Sequence, residues 1–158
     1  MTAGCGYHPA GRVNLLPADL RTLAVPAFVN QTQTYRIEQM LTSAVVEELS
    51  SRTRYRITTD TAAADAVLHG NVLSSYTSPL TYDSATGRAA TVLVIVSMSV
   101  SLADRQGRVL YHNPAYSFRE QYQVSREASS FFEEDSPAFQ RLAHEFARSL
   151  VSNLLESF

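Results

Sequence analysis

Lysine is absent, cysteine occurs once, and no stretch approaches the ~18 consecutive apolar residues that a membrane-spanning helix requires. All thirteen cationic side chains are therefore arginine, set against fifteen carboxylates and four histidines for a net charge of −2. That balance excludes the basic excess of a general nucleic-acid binder, so no nucleic-acid partner is expected. An all-arginine set fits either codon preference or a use for planar guanidiniums against anions. A single cysteine excludes an internal disulfide framework and any multi-cysteine zinc site. A P-loop, a G-x-G-x-x-G turn and a G-x-S-x-G elbow are also missing.

The chain has 158 residues, 45% hydrophobic and 18% charged, which is the length and composition of about one folded domain rather than a disordered chain. Residues 20–25 read as a strand stopped by Pro26. Residues 30–34 are a polar turn with candidate helix caps. From Tyr35, Ile37, Met40, Leu41, Ala44, Val45 and Leu49 recur at helical spacing for about four turns. A short strand over 55–58 and a longer one over 66–77, interrupted by Gly70, come next. Pro79, Asp83 and Gly87 mark residues 78–89 as a loop.

The clearest element is the strand over 90–102. Ala90, Val92, Val94, Val96, Met98, Val100 and Leu102 line one face, while the other carries Leu93 and Ile95, then Ser97, Ser99 and Ser101. Its first half is apolar enough to be covered on both sides. Residues 104–107 are a hairpin turn into strand residues up to Tyr122, in which Pro114 demands an edge or a bulge. Ser136 and Pro137 open a last helix that buries Phe139, Leu142, Phe146, Leu150 and Leu154. The order β-α-β-β-β-β-α predicts an α+β fold: a two-layer sandwich of one mixed, mainly antiparallel sheet of four to five strands with two helices on one face. Residues 20–158 form that domain, and 1–19 a tail.

Catalytic patterns fail one by one. His144-Glu145-Phe146-Ala147-Arg148 approaches H-E-x-x-H, but Arg148 stands where the second metal ligand is needed. His8, His69 and His112 are scattered, with Asp65 four residues before His69 as the one suggestive carboxylate. Cys5 has only His8 near it in sequence to serve as a base. No enzyme activity, metal or cofactor is expected. Arg52, Arg54 and Arg56 would share one face of an extended segment, three guanidiniums within about 14 Å, either to hold phosphates or to solvate a sheet edge. Tyr82, Arg88 and Arg105, on the 78–89 loop and the next turn, are the candidate contacts with an anionic partner.

Cys5 stands in Thr2-Ala3-Gly4-Cys5-Gly6, the small-small-Cys end of a bacterial lipoprotein signal peptide. The charged and apolar regions of such a peptide do not fit between Met1 and Cys5, so the natural start is expected upstream. Taken in order, Ala3-Gly4-Cys5-Gly6-Tyr7-His8, Leu23-Ala24-Val25-Pro26-Ala27-Phe28-Val29-Asn30-Gln31-Thr32, Tyr35-Arg36-Ile37-Glu38, Arg52-Thr53-Arg54-Tyr55-Arg56-Ile57 and Ala64-Asp65-Ala66-Val67-Leu68-His69-Gly70 resemble the LPS-assembly lipoprotein family, LptE. The resemblance runs over residues 3–158.

The resemblance implies a non-enzymatic protein, acylated at Cys5 and anchored to the periplasmic side of the outer membrane of a Gram-negative cell. It implies a plug for the large β-barrel that assembles lipopolysaccharide, with the barrel and lipopolysaccharide as partners. The Asn-x-Thr and Ala-Asp-x-Val-x-x-Gly pieces are also similar to lipoproteins of curli-secretion type, which would place the chain at a different outer-membrane pore. An enzyme acting on envelope carbohydrate would need a convergent acid pair that the sequence does not display.

Overall fold

The computed structural model describes residues 19–123 and 135–156, so Cys5 and His8 lie outside the described residues. The elements are β1 (Thr22–Ala24), β2 (Val29–Asn30), α1 (Ile37–Arg52), β3 (Arg56–Thr58), β4 (Ala66–Tyr82), β5 (Ala89–Asp104), β6 (Val109–Gln123) and α2 (Asp135–Glu156). The strands form one sheet in the order β3-β1-β4-β5-β6, with β2 beside β4. β1 runs parallel to β3 and β4, and β2 parallel to β4, while β5 runs antiparallel to both β4 and β6. The fold is the expected α+β sandwich, with the two-residue β2 as an addition that the polar 30–34 segment concealed.

β5 is the centre of the sheet, paired on both sides over most of its length. Val92, Val94, Val96, Met98, Val100 and Leu102 are buried beneath the helices, and the alternate positions are half-exposed. Leu93 and Ile95 thus lie on a face that no described helix covers, contrary to the reading of that half as covered on both sides. α1 contributes Ile37, Leu41, Ala44, Val45 and Leu49 to the core, and α2 contributes Phe139, Leu142, Phe146, Leu150 and Leu154 among others. These sets follow the helical period, so each helix buries one stripe and leaves its charges in water.

Pro26 ends β1, and the chain rejoins the sheet as β2 after one residue more than β4 uses over the same interval. Phe28 lies in that interval, buried with its ring edge-on to Phe146 at 6.4 Å between centroids. It sits over Gly70: a Cβ built there would lie 2.8 Å from the Phe28 ring. The glycine that interrupts the β4 pattern is therefore a seat for an aromatic side chain.

Two elements differ from the sequence reading. β4 continues through Pro79 to Tyr82, and only residues 83–88 form the turn. Proline is tolerated because this part of β4 borders no second strand among the described residues, and bulges at 72/74 and 79/81 absorb the irregularity. The polar 30–34 segment caps no helix with a side chain. Instead Asn30 Oδ1 accepts from the Thr32 N–H at 2.8 Å, and Asn30 Nδ2 donates to the Thr34 carbonyl and to Glu38 Oε2. The position before α1 is Arg36, in the left-handed region at φ 58°. Pro114 meets both of its expected conditions, on an edge strand and within a register shift between Met98 and Val100.

Candidate functional site

The sixteen residues of β5 separate two very different ends by about 50 Å. At one end, Tyr82 pairs with Ala89 across the β4–β5 turn, and Gln123 of β6 faces Thr91. At the other, Asp104 closes the turn into β6 and faces Ala66. Tyr82 and Arg88 therefore lie at the first end and Arg105 at the second. The candidate contacts on the 78–89 loop and on the next turn are therefore far apart, because turns that flank one long strand lie at its two ends.

At the β4–β5 end, the Asp83 carbonyl accepts from the Gly87 N–H at 2.8 Å, the Asp83 N–H donates to the Arg88 carbonyl at 2.7 Å, and Gly87 takes φ 68°. The turn is thus ordered by backbone bonds while Arg88 is exposed, and among the described residues Arg88 makes no ion pair. Tyr82 is 64% and Tyr76 55% exposed, with Leu73 and Leu80 also open to water. Thr34 Oγ1 donates to Ser75 Oγ at 3.0 Å, which brings the α1 entry loop to the same region. There Tyr35 is 77% exposed and the Arg36 guanidinium lies 4.9 Å from its ring centroid. The sequence reading missed this loop and the exposed side of β4; the signal available was a nine-residue run, 74–82, without a single charge.

The opposite end is braced. Asp65 Oδ2 accepts the N–H groups of Arg21 and Thr22, both at 2.9 Å, and these two bonds, aided by the nearby guanidiniums of Arg105 and Arg21, hold its carboxyl below the ordinary value. Arg105 pairs with Asp65 at 3.4 Å and donates through Nε to the Ala64 carbonyl at 2.8 Å. Arg108 Nε donates to Asp104 Oδ2 at 3.1 Å. Arg105 thus ties the β5–β6 turn to the loop before β4. Asp65 serves the backbone of β1 and not His69, which is exposed on β4.

The remaining candidates are dispersed. Arg52 lies in the last turn of α1, with Nη1 bonded to Glu48 at 3.2 Å and to Ser152 Oγ at 3.0 Å, so it cannot share an extended face with Arg54 and Arg56. Arg56 sits on the edge strand β3, the position where charge deters strand pairing. His144, Glu145 and Arg148 are exposed on α2, the last two paired at 3.9 Å. Among the described residues no group of three His, Cys, Asp or Glu could hold a metal ion, and no helix is long and apolar enough to cross a membrane. Beneath α2 the hydroxyls of Tyr111 and Tyr116 are hydrogen-bonded to each other, and Asn153 Nδ2 donates to Tyr116 at 2.8 Å. Burial, then the Tyr116 hydroxyl, push Tyr111 up to about 12.

The described residues thus form a one-sided sheet with two helices and a projecting hairpin, and among them no catalytic group is assembled. The sequence matches the family described as LptE, Lipopolysaccharide-assembly, over residues 20–154. The chain belongs to the LptE family. This LptE-family chain finds no match among curated proteins. Its fold is shared by rare lipoprotein B from Shewanella oneidensis, at TM-score 0.55 and 18% identity, covering 85% of this chain and 92% of that one. It is shared also by uncharacterized lipoprotein B from Nitrosomonas europaea, at TM-score 0.56 and 12% identity over 92% of this chain and 87% of that one. A third is a minor lipoprotein from Acinetobacter baumannii, at TM-score 0.52 and 12% identity over 87% and 92%. The LptE family is one of non-enzymatic assembly lipoproteins of the Gram-negative envelope.

Proposed function

We propose that this chain is an outer-membrane lipoprotein, anchored on the periplasmic side through acyl chains on Cys5, that plugs and helps assemble the β-barrel translocon for lipopolysaccharide and assists its insertion at the cell surface. Membership of the LptE family over residues 20–154 is the observation that carries this reading. The fold is compatible with it: a wet barrel lumen offers hydrogen-bond partners more than apolar surface, and the exposed hairpin carries hydroxyls, tyrosines and Arg88. Tyr82 and Arg88 are the proposed contacts with the barrel or the glycolipid. A guanidinium suits lipopolysaccharide phosphates through charge-assisted hydrogen bonds. Arg105, engaged by Asp65 and the Ala64 carbonyl, contributes at most indirectly.

The test is affinity capture of the tagged, natively exported protein after mild detergent extraction. A large, heat-modifiable outer-membrane barrel should come down with it, and intact mass should show acylation of Cys5. An unmodified thiol would remove the anchor, and capture of a different pore would favour the secretion-pore reading.

A further inference from the structure

We infer that His69 and His112 form a two-imidazole site for a borderline divalent metal ion, zinc foremost, on the face of the sheet turned away from the helices. This goes beyond the assembly reading and does not rest on it. The two histidines are far apart in sequence, but in the sheet they share one row. His69 of β4 pairs with Ser101 of β5, and Ser101 pairs with His112 of β6. Both pairings fall in regular stretches of ladder, clear of the shifts at 72/74, 98/100 and 102/103. Ser101 stands between the buried Val100 and Leu102, which face the helices, so Ser101 and the two residues opposite it project from the uncovered face.

The fold itself gives neither imidazole a task. Both are exposed, and among the described residues neither side chain has a hydrogen-bond or ion-pair partner. The described residues include three histidines; His144 lies on α2, and the other two occupy a single row of a single face. Strands about 4.8 Å apart put the Cβ atoms of His69 and His112 about 10 Å from each other, with β5 between them. An imidazole and a metal–nitrogen bond of about 2 Å together reach about 6 Å from each Cβ, so both rings meet one ion above Ser101. The short serine side chain leaves that space open.

The donor set selects the metal. Imidazole nitrogen suits zinc, copper and nickel, whereas calcium and magnesium need several oxygen ligands. The rows on either side hold no charged side chain: Asn71 faces Ser99 in one, and Val67 faces Ala103 in the other. No carboxylate is there to recruit a hard cation, and no guanidinium to repel a soft one. Two protein ligands leave the remaining positions of a tetrahedral shell open to water or to a donor atom of a partner. The sequence conceals the pair because metal motifs are read from spacing, and here the ligands are joined only by register across β5.

Calorimetric titration of the full 158-residue chain with zinc chloride tests this, in a Cys5→Ser, His8→Gln background that removes the thiol and imidazole of the tail. The expected result is saturable binding of one zinc per chain. His69→Ala and His112→Ala should each raise the Kd at least about tenfold, while His144→Ala leaves it unchanged. Without metal these variants should melt with the parent, since all three side chains are exposed. Saturating zinc should raise the melting temperature of the parent and of neither His69→Ala nor His112→Ala. No saturable zinc binding in the Cys5→Ser, His8→Gln chain overturns the proposal, as does parental affinity in either histidine variant. Calcium or magnesium binding as tightly as zinc, and lost in the same variants, overturns the assignment to a borderline metal.

Discussion

The two halves of the β4–β5 ladder share one pair of strands and behave as different materials. In the half where Ala66–Val72 faces Met98–Asp104, β4 buries every second residue and has β1 and β2 on its far side. In the half where Ser74–Tyr82 faces Ala89–Ser97, β5 keeps its buried valines, yet β4 is half-exposed or exposed throughout and has no second neighbour among the described residues. Since hydrophobic stabilisation scales with apolar area removed from water, the first half holds the fold and the second is free to vary. The comparison separates what can be changed without unfolding from what cannot.

The largest effect is expected at Val96, which is fully buried on the face of β5 turned to the helices. Val96→Asp adds an unpaired buried carboxylate to the lost packing, a cost of more than about 4 kcal/mol, and the variant should show no cooperative melt. A soluble, cooperatively melting Val96→Asp protein would mean that β5 does not carry the core. Gly70→Ala probes the braced half more finely, since the added methyl must displace the Phe28 ring. It should lower stability by about 1–3 kcal/mol in urea titration.

Smaller effects are expected from the ionisable groups. The carboxyl of Asp65 is held below its ordinary 3.8 chiefly by two backbone N–H groups, so its contribution is complete above that value and is lost as pH falls through the folded one. Asp65→Asn should lower the melting temperature at pH 7 and flatten the acid limb of the stability curve. Tyr111 titrates in the opposite sense. Its hydroxyl stays protonated in the fold to about 12 against 10.0 when unfolded, so stability falls as pH climbs between those values. Tyr111→Phe should flatten that alkaline decline, which denaturation at stepped pH would record.

Much of this was legible in the sequence, and for identifiable reasons. The alternation at 92–102 and the helical spacing of 37–49 and 139–154 are period signals, and the residues they select are buried except Met40, which is half-buried at the margin of the core. β2 was hidden because a two-residue strand has no period, and its partner is forty-two residues away. Pro79 and Asp83 are loop residues by chemistry, but the continuing pairing with β5 overrode the proline. Among candidate site residues, turn chemistry marks Tyr82 and Arg88 as exposed, and the structure places both at the open hairpin end. Arg105 looked equivalent, since nothing in Asp104-Arg105-Gln106-Gly107 reveals that Asp65 waits to pair with it. The uncharged 74–82 run was visible and unread, because an absence of charge gains meaning only once the strand is known to lie on an edge.

The smallest effect on stability and the largest on function should coincide at the hairpin tip. Tyr82→Ala with Arg88→Glu should change unfolding free energy by no more than about 0.5 kcal/mol, as exposed tip substitutions generally do. The decisive measurement is capture of the lipopolysaccharide-assembly barrel, and of lipopolysaccharide, by this double variant and the native protein at equal expression. The account predicts weakened capture of one or both at an unchanged melting temperature, with the charge reversal acting more strongly on the glycolipid. Native capture of both partners by the double variant would contradict it and move the contact surface away from the hairpin.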